Sequence, residues 1–425
     1  MSNVVPLHPS QPLLAGYLRV GHDGHRRLPH MLNVGRLRYK RFVFEAAYIE
    51  SQTDLLKALQ AVGCEIVLDT NFSEMFFEGK QGTAVTKNLQ WANHDRPWQL
   101  TDFKLPRNFD FARQIAEFAT KYSINSIIAP SHVIEPANVD TSSFDRVICE
   151  SLRIELDKLG QQGIKLDFQL SLATGVLGDQ VSRQSLVGGL SELPIDNLWL
   201  RIENFGATST GTAVQKVVNF AKDFHDCGKP LIFDYAGGLA GLATLSFGTA
   251  GGLCHGIGIK EKFDLSHWKN KPTGGGGNNF VYVAELDKKF KPNQLQLFLD
   301  ARGSKSRFSC NDQECCGHAN DMIDRHDEHF ITQRSKQLQD LAKFPADKRT
   351  EHFLLNHVGA AVRMGELSAK LKIEDEALKK TLKENKKRLQ RMQEALMTVA
   401  RGNLSFSKVP AFRGGKNKIN AVMAG

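Results

Sequence analysis

The sequence predicts a (β/α)8 barrel of the TIM type, followed by a C-terminal zinc-binding subdomain and a helical tail. Three observations point there: eight short apolar segments recur along the chain, helical patterns fill most of the gaps, and three cysteines crowd behind the last segment. An open doubly wound sheet shares this alternation and is the second choice, because a strand count does not prove closure. The expected organisation is a basic N-terminal segment over 1–40, the barrel over 41–305, a Cys/His subdomain over 306–362 and a helical, basic region over 363–425.

The elements follow in chain order. The stretch GHDGHRRLPHMLNVGRLRYKRF (21–42) mixes three histidines with Arg26, Arg27, Arg36, Arg38, Lys40 and Arg41, and reads either as a phosphate-facing surface or as a solvated basic hairpin. The strand candidates are RFVFEAAY (41–48), EIVLD (65–69), SIIAP (126–130), LDFQL (166–170), LWLRIE (198–203), PLIFD (230–234), GLCHGIG (252–258) and FVYVAEL (280–286), each bounded by turn or polar residues. Between the first two, Leu55, Leu56, Leu59 and Val62 recur at helical spacing and stop at Gly63. Segments 108–122, 144–163 and 211–228 show the same pattern. Over 366–401, Leu378, Leu382, Asn385, Leu389, Met392, Leu396 and Val399 form a 4-3-4-3 seam that either docks on the barrel or pairs with another chain. The tail over 406–425 is basic.

In such a barrel, chemistry belongs where strands end and loops to the helices begin. Those ends carry Asp69, Ser131, His132, Glu135, Arg201, Glu203, Asp234, His255 and Glu285. Asp69 and Asp234 rank first as catalytic carboxylates, since each directly follows an apolar strand and would project into the mouth. The glycines of YAGGLAGLATLSFGTAGG (235–252) either bring backbone N–H groups to a ligand or allow tight helix-to-sheet packing. PTGGGGNN (272–279) reads as a lid or a linker.

Composition sets the class. The chain has 41% hydrophobic and 24% charged residues, and no apolar run approaches the roughly 20 residues of a membrane span. No membrane association is expected, and MSNVVPLHPSQPLLAG lacks the basic and apolar regions of a secretion signal, so a cytoplasmic location is expected. A net charge of +9 favours a polyanionic partner, nucleic acid ahead of an anionic metabolite. Cys64, Cys149, Cys227 and Cys254 stand singly in apolar segments, which argues against a disulfide framework. Cys310, Cys315 and Cys316 differ. They supply three soft donors, and His318, His326, His329, His352 or His357 could supply the fourth of a tetrahedral, structural zinc site.

The order of short motifs over 65–357 resembles the tRNA-guanine transglycosylase family. VLDTNFSEM places Asp69 where the family has the aspartate of a DSGGFQ-type motif, with Thr70 and Asn71 replacing its glycines. GGLA at 237–240 is similar to the family's base-binding loop, and HGIG at 255–258 to the strand end after it. FLLNHVGAA at 353–361 resembles the segment carrying the zinc histidine, which makes His357 the fourth ligand beside Cys310, Cys315 and Cys316. The family's nucleophile stands on its last strand, where this chain offers Glu285 or Asp287. The resemblance implies base exchange through a glycosidic bond in RNA or DNA. Asp69 would be the acid/base group, with Gly237, Gly238 and Leu239 facing the base. Two alternatives stand beside it: a nucleic-acid-binding barrel with altered catalysis working in a larger assembly through the C-terminal helix, and an unrelated barrel enzyme using Asp234, His255 and Arg201 on a small anionic metabolite.

Overall fold

The computed structural model describes residues 14–103, 110–258, 260–271 and 279–402. All but Asn279 of the stretch 272–279, expected as a lid or a linker, and the basic tail over 406–425 lie outside the described residues.

Eight parallel strands close a barrel. They are β1 (Ala15–Arg19), β2 (Arg41–Glu45), β3 (Glu65–Asp69), β4 (Ser126–Ile128), β6 (Lys165–Leu172), β7 (Asn197–Ile202), β8 (Leu231–Asp234) and β9 (Gly252–Gly256). Closure is made by β9 pairing with β1, from Ala15 opposite Gly252 to Arg19 opposite Gly256. The two-residue β5 (Val133–Ile134) resumes the line of β4 along β6. Between Ile128 and Val133 the β4 side takes five steps while β6 takes four from Asp167 to Ser171, so the strand is broken by a bulge at the barrel rim.

The expected strand set is corrected at both ends. Ala15–Arg19, which the sequence places in a basic N-terminal segment, is a barrel strand; its five residues are short and are followed at once by the basic stretch. Residues 280–286 do not enter the barrel. Val281–Val283 (β10) pairs antiparallel with Lys288–Phe290 (β11), because the chain reverses at Asp287, whose φ of 43° makes a tight turn. The basic stretch after β1 is not a hairpin but the helix Gly24–Asn33, with Arg27 paired to Asp327 and His30 to Glu328.

Side chains alternate across each strand, and that period of two sorts the core. Outward residues such as Leu18, Phe42, Phe44, Leu68, Phe168 and Leu200 pack under the helices. Inward residues fill the lower barrel with Ala15, Tyr17, Val43, Val67, Ile128, Trp199, Ile232 and Cys254. A second core gathers Val281, Val283, Leu286, Phe290, Phe298 and Phe308 with Cys310, Cys315, Cys316, Leu378 and Leu382, so the hairpin packs with the cysteine segment. Helix Glu376–Gly402 buries its whole seam from Leu378 to Val399 within the chain, lying against helices Gly211–Ala221 and Gly359–Ser368. Among the described residues, no helix is long and apolar enough to cross a membrane.

Candidate functional site

Two residues beyond five of these inward apolar positions, at the C-terminal end of the barrel, the same register delivers charge. Tyr17 is followed by Arg19, Val43 by Glu45, Val67 by Asp69, Trp199 by Arg201 and Ile232 by Asp234. All five are buried. Arg19 donates from Nε to Asp234 Oδ1 (2.8 Å), from one terminal nitrogen to Asp234 Oδ2 (2.6 Å) and from the other to Asp69 Oδ2 (2.7 Å). Arg201 donates to Asp234 Oδ2 (3.0 and 2.8 Å) and to Asp69 Oδ2 (3.1 Å), and Gln169 adds a bond to Asp234 Oδ2 (3.1 Å). The backbone N–H groups of Asn71 and Tyr235 take Asp69 Oδ1 and Asp234 Oδ1, both at 2.9 Å.

Burial alone would raise the pKa of both aspartates, but Arg19 and Arg201 outweigh it and hold both carboxyls below the usual range. Both are therefore fixed anions with occupied oxygens, unsuited to shuttling protons. The ring of Tyr235 lies 4.6 Å from the Arg19 guanidinium and 4.7 Å from that of Arg201, and Tyr235 holds φ at 55°, a strained value for a bulky residue.

Above this plug opens a cavity of about 500 Å³ whose walls include Arg19, Glu45, Tyr48, Glu74, Lys80, Tyr235, Lys260, Phe263 and Trp268. Glu45 pairs with Lys260 and Glu74 with Lys80. Asn71, in the left-handed region at φ 55°, donates from its side chain to Glu74 Oε1 (2.9 Å), an orientation that Asn tolerates and other side chains resist. Burial raises the Glu74 carboxyl, yet Lys80 and then Lys260 bring it below its ordinary value. For Lys260, Glu45 more than offsets burial and keeps the ammonium protonated well past its usual range.

The structure brings Asp69, Asp234 and Arg201 together as the sequence suggests, and scatters the rest. His255 occupies an outward position, where Tyr39 donates to Nε2 (2.7 Å), Nδ1 donates to the Gly256 carbonyl (2.9 Å), and burial lowers its pKa to about 4. It is a neutral packing residue outside the mouth. Gly237, Gly238 and Leu239 are buried and are not on the cavity wall. A Cβ at Gly237 would meet Glu261 Oε1 at 2.2 Å, and Gly238 holds φ at 66° with a Cβ position 2.9 Å from Ala207 Cα, so these glycines serve close packing. The start of helix Gly238–Ser246 is met by the chain's own Asp287, which accepts from the Leu239 N–H (3.2 Å). Glu285 lies in the hairpin turn outside the barrel, where burial raises its pKa. Arg19, Glu45, Glu74 and Lys260 were not singled out from the sequence; the alternation of A-Y-R in AGYLR and of R-V-E in RFVFE carried the signal for the first two.

The cysteines do gather, but with a different histidine. Cys310, Cys315, Cys316 and His329 are buried with ligand atoms all within 4.8 Å of one another. His329 Nδ1 lies 3.4 Å from Cys315 Sγ and 3.5 Å from Cys316 Sγ, while its Nε2 donates to the Tyr282 carbonyl (2.8 Å). That bond fixes the ring with Nδ1 free to ligate, as metal-bound imidazoles require. The residues fit a metal ion. His357 is excluded from the set, because it lies beside Asp340 instead, with Nε2 3.0 Å from Oδ2.

Fold and site together define a parallel (β/α)8 barrel with a charged, aromatic-walled cavity at its C-terminal mouth and a Cys3His cluster beyond it. No family model and no curated protein matches the chain. Among solved structures it is similar to a GH10 endoxylanase from a sugarcane soil metagenome, at 12% identity over 51% of this chain and 65% of that one, TM-score 0.33. It is also similar to a type I 3-dehydroquinate dehydratase from Clostridium difficile (8% identity, 61% and 90% covered, TM-score 0.37) and to KGPDC from Streptococcus mutans (11%, 61% and 94%, TM-score 0.32).

Proposed function

We propose that the barrel mouth is the active centre of a transglycosylase-like enzyme acting on a nucleobase in RNA or DNA, with zinc in the Cys310, Cys315, Cys316 and His329 cluster. The observation that carries this reading is that two buried carboxylates, Glu45 and Glu74, share one cavity with the aromatic faces of Tyr48, Tyr235 and Trp268. A flat base extruded from its stack finds a π-surface there, and the sugar a carboxylate. Glu74, held ionised, is the nucleophile. Its oxygen bonds to C1′ as the C1′–N bond breaks, the electron pair leaves with the base, and the base takes up a proton from water; an incoming base gives its proton to water as its nitrogen displaces the Glu74 carboxylate from C1′. The Lys260 ammonium faces the negative charge that develops on the leaving base. Asp69, which is not on the cavity wall, holds the guanidinium pair in place. The zinc ion would supply no chemistry to this step; its role is to hold the hairpin and the cysteine segment together. The net charge of +9 supports attraction of a polyanion.

One observation favours an alternative enzyme on a small anionic metabolite: Arg27, Lys80, Lys260 and Lys262 line the same cavity. Thermal melts separate the two. Free purines and short oligonucleotides should raise the melting temperature and sugar phosphates should not; the reverse pattern would move the assignment to the metabolite enzyme.

A further inference from the structure

We propose that Asp340, His352 and His357 form a second metal site, distinct from the Cys3His cluster, for a divalent transition-metal ion of the zinc class. Asp340 comes from helix His326–Ala342, His352 closes helix Ala346–His352, and His357 lies in the π-helical turn Phe353–Val358. His352 Nε2 stands 2.6 Å and His357 Nε2 3.0 Å from the same Asp340 Oδ2, and the three ligand atoms lie within 4.8 Å of one another. An ion about 2.0–2.1 Å from each donor asks for little more than this separation.

The backbone makes the arrangement. In an α-helix, residues five apart point about 140° away from one another. The π turn takes up an extra residue, with the Gly359 N–H reaching the Leu354 carbonyl five residues back, and so brings His352 and His357 to one face. Such turns are rare and collect at functional sites. The surroundings hold the donors: Phe344 stacks on the His352 ring at 3.7 Å between centroids, and Asn356 lies 3.0 Å from His352 Nδ1. With a metal on Nε2, Nδ1 carries the proton, and the Asn356 amide turned over accepts it through Oδ1. Lys343 pairs with the other carboxylate oxygen, Oδ1, at 3.7 Å. Two imidazoles and one carboxylate suit zinc, nickel or cobalt over calcium or magnesium. The side chain of Asp340 is 37% exposed, so water completes the coordination.

The test is metal content of the full chain, purified after loading with Zn2+ and dialysis, with Co2+ substitution read by absorption. Wild type should hold two ions per chain, and Cys315→Ser and His357→Gln one each. In His357→Gln the cobalt–thiolate absorption should persist, and in Cys315→Ser only the weaker bands of a nitrogen–oxygen site should remain. Asp340→Asn reads the same loss should His357→Gln fail to fold. Wild type holding a single ion that Cys315→Ser abolishes, or two ions that neither His357→Gln nor Asp340→Asn reduces, would overturn the proposal. Failure of the Cys3His site instead appears as loss of the thiolate absorption in wild type.

Discussion

Asp234 accepts bonds from two guanidinium groups, an amide side chain and a backbone N–H, all inside the barrel. Asp234→Asn would leave Arg19 and Arg201 short of a buried counter-charge, a loss on the order of 3–5 kcal/mol that should lower the urea midpoint without changing its slope. Two kinds of buried carboxylate also give opposite pH dependences. Asp69 and Asp234 have folded pKa values below their unfolded ones, so their contribution is full above about pH 4 and is lost as pH falls further. Asp167, deep in the barrel between Asn197 and Trp199, is raised by burial to about 7. Its contribution is full below about pH 4 and is lost as pH rises through about 7. The melting temperature of Asp167→Asn should consequently fall less than that of wild type between about pH 5 and 7; parallel curves would refute this. At this scale, the sequence pointed to Asp69, Arg201 and Asp234 because each stands at a strand end in inward register. It misplaced His255, since one step along β9 exchanges the barrel interior for its outer face.

At the scale of elements, the C-terminal helix is fastened at a crossing with no room to spare. A Cβ at Gly211 would lie 2.4 Å from the Arg391 carbonyl oxygen and 2.8 Å from Met392 Cα, both backbone atoms that cannot rotate away. Gly211→Val should therefore displace helix Glu376–Gly402, lower the melting temperature and expose the helix to proteolysis, whereas Gly228→Ala, in open space at φ 67°, should cost only local strain. Asn385, the polar position of the seam, donates to the Leu286 carbonyl (2.9 Å), and Arg388 reaches the Asp287 carbonyl (2.8 Å), so the helix also clamps the hairpin turn. The heptad spacing made this seam legible in full, but not what covers it. Ala15–Arg19 stayed hidden because five residues beside a basic stretch give a weak strand signal, and FVYVAEL read as a barrel strand because the reversal that follows at Asp287 has no glycine to mark it.

For the whole molecule, the Cys3His cluster sits in the second core and joins the hairpin to helix His326–Ala342. Removing metal with a chelator should speed amide exchange over 281–323 while leaving the barrel strands protected; uniform loss would mean that barrel and second core unfold as one unit. Alternating segments made a barrel the first choice, though its closure rests on Ala15–Arg19, which they did not include; the cavity was not readable, because it depends on Glu45, Glu74, Lys260 and Trp268 arriving from separate parts of the chain. The central claim is that this cavity breaks and remakes a glycosidic bond to a base. It is tested most directly by incubating the protein with tRNA or DNA and labelled purine base, beside Glu74→Gln, with folding of both checked by melting temperature. Label entering the polynucleotide with wild type and at least 100-fold more slowly with the variant is the predicted result, roughly 2.7 kcal/mol of lost transition-state stabilisation. No incorporation by folded, metal-loaded wild type, or equal incorporation by both proteins, would contradict it.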